Sequence, residues 1–193
     1  MKFHLPVLFL VLAALAADDA HADPRAEVQA ALGRIVDAGG FHARVEGHVF
    51  GPDVPAVSGE IDVIFPDRLH VRGEDLEFIV LPSGAWVSAL GLWAPTDPDL
   101  LPVTTFEPAA MREAIASIRD VRDEGRANAH QCAARAYRFH ASGQLPGADA
   151  DGEVRLWVCA KDGRTARIEG SGEGGRRVIV DFDWSRKPQV RAP

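Results

Sequence analysis

The stretch RLWVCAKDG, residues 155–163, alternates apolar and polar side chains up to a Lys-Asp-Gly turn and carries a cysteine on its polar side. With Glu153 and Val154 it reads as a strand that sets Val154, Leu156, Val158 and Ala160 on one face and Glu153, Arg155, Trp157 and Cys159 on the other. Upstream, Tyr137, Phe139 and Ala141 form the apolar face of a strand ending near Ser142. That phase puts Arg138, His140 and the chain's second cysteine, Cys132, on the opposite face. Both cysteines therefore share the outer face. SGQLPGADADG (142–152) supplies the turn of an antiparallel hairpin. With Cys132 opposite Cys159, Arg138 meets Glu153 and Tyr137 meets Val154, so one register satisfies three pairs. Arg135 turns inward in this phase, and a bulge or a partly open sheet would accommodate it. A bridge closing about 28 residues would stabilise the fold by roughly 3–4 kcal/mol. Free thiols are the alternative; redox chemistry or metal binding lacks the C-x-x-C or ligand spacing it would need.

A disulfide requires an oxidising compartment, and the amino terminus predicts one. Met1-Lys2-Phe3-His4 leads into an apolar run from Leu5 to Ala17, then Ala20-His21-Ala22. This is the pattern of a secretory signal peptide cleaved before Asp23. The run is about 13 residues, short of the roughly 20 a membrane-spanning helix needs. Removing 22 of 193 residues leaves 171, the size of one domain spanning 23–193. The whole chain has a formal net charge of -7 and no basic stripe, which argues against nucleic acid and anionic membrane surfaces as partners.

The mature chain begins with a helix, Asp23-Pro24 at its start and Val28, Leu32, Ile35 and Val36 at helical spacing until Gly39-Gly40. Strands follow at short intervals: FHARVEGHVF (41–50), VSGEIDVIF (57–65), RLHVR, DLEFIVL and GAWVSAL, then the cysteine hairpin, RTARIEGS and RRVIVDFDW. About nine consecutive strands imply an antiparallel meander. Between them GLWAPTDPDLLPVTTFEP (91–108) holds four prolines among bulky apolar residues and reads as a long apolar loop, neither strand nor linker. It leads into a second helix from Pro108 to about Arg122, with Met111, Ile115 and Ile118 on one face.

Catalytic constellations are not apparent. His42 and His48 share a strand face about 20 Å apart, too far for one metal, and His70, His130 and His140 fall in polar phase and read as solvated. No G-x-S-x-G elbow occurs. Asp97 and Asp99 read as turn residues, and the glycines at 172–175 precede no helix, so they form no phosphate cradle. The expectation is a protein that is not an enzyme, with no cofactor and no metal.

The element order and several local patterns resemble the LolA-like superfamily of periplasmic lipoprotein and lipid carriers, which includes LolB, the amino-terminal part of RseB and the LppX-type carriers. The residues are the leading helix, Phe41-x-Ala43-x-Val45-x-Gly47, Cys132 with Ala136-Tyr137-Arg138-Phe139, and Val154-x-Leu156-Trp157-Val158 followed by Gly163-Arg164 and Arg167-Ile168-Glu169. Thr165 departs from the pattern, which has proline there. The resemblance implies an α+β fold: a strongly curved antiparallel sheet, or half-open β-barrel, with two or more helices covering its concave face and a hydrophobic cavity between. No family contact position is carried over; read from the apolar strand faces, its wall would be Val45, Val49, Ile61, Val63, Phe65, Phe78, Val80, Tyr137, Phe139, Leu156, Val180 and Phe182. The lid would be Trp93, Leu100, Leu101, Phe106, Met111 and Ile115. The implied function is a monomeric periplasmic carrier or binder of a lipid, an acylated protein or another amphiphile, without stable membrane insertion. The alternative is an envelope sensor or protein-interaction module of the same fold with a filled core, using outer-face residues such as Trp157.

Overall fold

In a computed structural model, residues 23–48, 56–74, 77–101, 106–143, 145–146, 152–171 and 177–193 are described. The expected signal peptide (1–22) and Val49 lie outside these residues. Helix α1 (Pro24–Asp37) starts where Asp23 accepts a hydrogen bond from the Arg25 N–H and Pro24 fixes the first turn. It stops at Gly39, whose φ of 71° suits a residue without a Cβ. Its buried stripe is Val28, Ala31, Leu32, Ile35 and Val36. Six strands follow: β1 (Gly40–Gly47), β2 (Val57–Ile64), β3 (Arg68–Gly73), β4 (Glu77–Leu81), β5 (Gly84–Ala89) and β6 (Leu92–Thr96). After a 3-10 turn (Pro98–Leu100) come α2 (Pro108–Ala116), β7 (Arg119–Ala129), β8 (Cys132–His140), β9 (Glu153–Cys159), β10 (Thr165–Ser171) and β11 (Arg177–Phe182).

All eleven strands form one antiparallel sheet in the order β6-β5-β4-β3-β2-β1-β11-β10-β9-β8-β7. The α+β class is as expected. The strand number and the curvature are corrected: the described residues hold eleven strands rather than about nine, and the sheet is neither closed nor strongly curled. The apolar face does not need to wrap around itself. Two helices, with Leu101 and Phe106, cover it, and their side chains join those of the strands in one buried cluster. No described helix is long and apolar enough to cross a membrane.

The two added strands were hidden for physical reasons. Leu92–Thr96, expected as loop, is an edge strand reached by a two-residue turn with positive φ at both Leu90 (53°) and Gly91 (78°). Pro95 is tolerated there because a proline on an edge need not donate to the ladder. Residues 119–122, expected as the end of the second helix, belong to β7. Ser117 ends α2 instead: its hydroxyl hydrogen-bonds the Ala114 carbonyl at 2.7 Å and the Ser142 carbonyl at 3.0 Å.

The cysteine hairpin has the expected faces and a different register. Cys132 and Cys159 form a disulfide with Cα atoms 5.7 Å apart, but Ala134 faces Cys159, Tyr137 faces Leu156 and Phe139 faces Val154, a slip of two residues. The slip preserves every residue's face, as a shift by the strand period must. Arg138 still reaches Glu153 diagonally, at 2.5 Å. Inward-facing Arg135 is accommodated at the rim, where it binds Asp123 of β7. Trp157 lies on the outer face yet is only 7% exposed, so its expected exposure is corrected. It packs with Ala134, Ala136 and Ala166 beside the disulfide, flanked by the Arg155 guanidinium 4.7 Å and the Arg167 guanidinium 5.9 Å from its ring.

Thr165, the residue departing from the family pattern, is fully buried. Its hydroxyl donates to the Ala31 carbonyl of α1 at 3.2 Å, and its own carbonyl accepts from the Trp184 indole at 2.6 Å. A proline would remove the first of these bonds.

Candidate apolar binding site

Strand alternation brings most of the expected wall residues together. Val45, Ile61, Val63, Phe78, Tyr137, Phe139, Leu156, Val180 and Phe182 lie in one buried cluster with Met111 and Ile115 of α2 and Val28, Leu32 and Ile35 of α1. The α1 residues complete the cluster, and their signal was the helical stripe. Phe65, Val80, Leu101 and Phe106 are partly buried against the same cluster.

Trp93 does not join them. In the β5–β6 register it faces Ser88, one position from the Ala94–Val87 pair, and so points to the other face. There its ring meets His70 edge-on at 6.2 Å. The expected lid is therefore split: Leu101 and Phe106 pack on the core, Met111 and Ile115 are buried beneath α2, and Trp93 stands across the sheet. The Leu100 side chain lies outside what is described.

Phe106 marks an opening. A cleft of about 120 Å³ lies between Val63, Leu69, Val80 and Phe106, with Pro66, Asp67, Arg68, Leu81 and Pro82 completing its lining. The Phe106 ring packs edge-on against Phe41 at 5.9 Å. Phe41 in turn meets Phe182 at 5.1 Å, and Phe182 stacks on Trp184 at 5.8 Å. A run of aromatic rings thus leads from the cleft into the core. Small-ligand sites usually hold about 300–1,000 Å³. This cleft falls below that range.

The hydrogen-bonded networks of charged groups lie elsewhere. Tyr137 donates its hydroxyl to Glu27 of α1; burial and that acceptor push the phenol well above its ordinary range. On the outer face, His42 is 4% exposed and donates from Nδ1 to Asp62 at 2.8 Å. Arg72 donates to Asp62 at 2.7 Å and to His70 Nδ1 at 2.9 Å, and His70 Nε2 meets Glu77 at 3.0 Å. This chain of bonds ties β1 through β4 together. The signal for it was present: His42 and Asp62 are direct cross-strand partners, as are Asp62 and His70. No three or more His, Cys, Asp or Glu side chains among the described residues are grouped to hold a metal.

No family model matches the sequence, and no curated protein matches it. Solved structures share its fold. The lipoprotein LppX of Mycobacterium tuberculosis aligns with a TM-score of 0.57 at 12% identity, over 88% of this chain and 100% of that one. LprF of Mycobacterium bovis aligns with a TM-score of 0.62 at 10% identity, over 89% and 98%. The likeness is one of fold, shared with LppX and LprF.

Proposed function

We propose that this chain, built on a LolA-like fold, is an exported, monomeric periplasmic carrier or binding protein for an amphiphile. Residues 1–22 act as its signal peptide, and 23–193 form its single domain. The ligand's acyl chain, whether from a lipid or an acylated protein, enters between β2–β4 and Phe106, displaces the Phe106 ring and runs along Phe41 toward Phe182. Asp67 and Arg68 at the mouth remain available to a polar headgroup. The observation that carries this reading is the apolar cleft over Val63, Leu69 and Val80, closed by one aromatic side chain that is itself only partly buried. Each buried methylene would add about 0.8 kcal/mol, so a chain of modest length offsets the movement of Phe106. No catalytic step, cofactor or nucleic-acid partner enters this reading.

Native mass spectrometry of protein purified from periplasm without detergent, followed by organic extraction, tests it. Near-stoichiometric lipid is expected, together with uptake of a fluorescent fatty acid that Phe106→Asp abolishes and Trp93→Asp leaves unchanged. A bare mass with no uptake overturns the reading and directs attention to protein partners.

A further inference from the structure

Past β11 the chain turns and crosses the outer face of the sheet. The Asp183 N–H donates to the His42 carbonyl at 2.9 Å, Trp184 stacks on Phe182, and Arg186 reaches Glu60 at 3.3 Å. Further on, Val190 is buried. Residues 186–191 are therefore held at both ends. With Asp62, His70 and Arg72 of β2 and β3 they wall a cleft of about 490 Å³, a volume within the usual range for small-ligand sites. The cleft lies on the face opposite the helices and owes nothing to the apolar opening.

Its charge opposes that of the chain. Arg72, Arg186, Lys187 and Arg191 line it against the carboxylate of Asp62; these groups sum to +3, four cations less one anion, in a chain of net -7. Both Asp62 oxygens are already engaged, one by His42 and one by Arg72. Glu60, beside the cleft, takes Arg186 and lies 3.7 Å from Arg72. Among the described residues Lys187 and Arg191 form no ion pair, and both are exposed.

We propose that this cleft binds a phosphate mono- or diester, with Lys187 and Arg191 as its contacts and Arg72 and Arg186 fixed behind them. Guanidinium forks match phosphate oxygens in pairs, and a lysine adds a mobile point charge. A segment already anchored at Trp184 and Val190 loses little freedom on binding. An anionic phospholipid headgroup and a free phosphate compound share this chemistry.

The test uses the full chain and the double variant Lys187→Glu/Arg191→Glu, whose exposed positions leave the core intact; thermal melting verifies that. Glycerol 3-phosphate is titrated calorimetrically at low and high salt. Co-sedimentation is measured with vesicles of phosphatidylglycerol and phosphatidylcholine and with phosphatidylcholine alone. The unaltered protein should bind glycerol 3-phosphate with an affinity that falls as salt rises. The double variant should lose about tenfold or more. Co-sedimentation that requires phosphatidylglycerol and is lost in the variant identifies a lipid headgroup; glycerol 3-phosphate binding without it identifies a free phosphate compound. Equal binding by the two proteins, or no binding of either probe by the unaltered protein, overturns the proposal.

Discussion

On one side of β1 the sheet continues through β11, β10, β9 and β8 to β7; on the other it continues through β2, β3, β4 and β5 to β6. The first wing includes strands of 11 and 9 residues, takes α1 against β7, β9 and β10, and carries the disulfide. An ion-pair lattice joins Arg138 and Arg155 to Glu124 and Arg167 to Asp181 on its outer face. The outermost strands of the second wing are only five or six residues long, and part of its apolar face is covered by Leu101 and Phe106. The contrast teaches where this molecule can yield. Helix packing and covalent closure fix one wing, while a single ring guards the other.

The largest effect should come from the packed wing. Phe139 is fully buried, and Phe139→Ala should cost about 3–5 kcal/mol in urea unfolding, against less than half that for Phe106→Ala. Equal costs would break the distinction. Next, replacing both Cys132 and Cys159 with alanine should cost about 3 kcal/mol, given a sequence separation of 27 between the bridged residues, and reductant should reproduce the loss in the unaltered protein.

A smaller effect is expected where α1 meets the sheet. Tyr137→Phe should cost about 1–2 kcal/mol through the lost bond to Glu27. Tyr137 is the single tyrosine, so tyrosinate absorbance reports on it alone. Burial and Glu27 raise its folded pKa, so the folded state holds the proton longer than the unfolded chain. Its contribution is complete below the unfolded value of about 10 and is lost as pH rises from there toward the folded value. Tyrosinate that formed at the ordinary pH in the native state would refute this.

The smallest change belongs to the outer lattice. Burial tends to raise the Glu124 pKa, but hydrogen bonds from Arg138 and Arg155 outweigh it and hold it below the ordinary carboxylate value. Its stabilisation is therefore complete above the unfolded pKa and is lost as pH falls through the folded one. Glu124→Gln should cost within about 1 kcal/mol at neutral pH and less in high salt. A cost several times larger would make the lattice, rather than the packing, the source of the wing's stiffness.

What the sequence made legible followed from period and phase. The faces of β8 and β9, the stripe of α1 and the pairing of the two cysteines were all readable because a buried face leaves a strict alternation or a helical spacing. Register was not, since a slip of two residues changes no face and a diagonal disulfide fits as well as a direct one. The edges were the least legible. β7 reads RDVRDEGRANA, and β6 holds a proline; an edge strand need bury little, so it leaves little pattern. For the site, Phe106 was readable as an apolar residue before a helix. Trp93 was misplaced because its loop proved to be a strand, and strand alternation sends it to the other face.

The bridge also governs what a cut would release. Residues 141–152, between β8 and β9, lie inside the loop it closes. A protease cleaving there would leave two fragments, one ending with β8 and one starting with β9, that travel as a single species. Gel electrophoresis would resolve them only after reduction, and a nicked molecule would retain every strand described above.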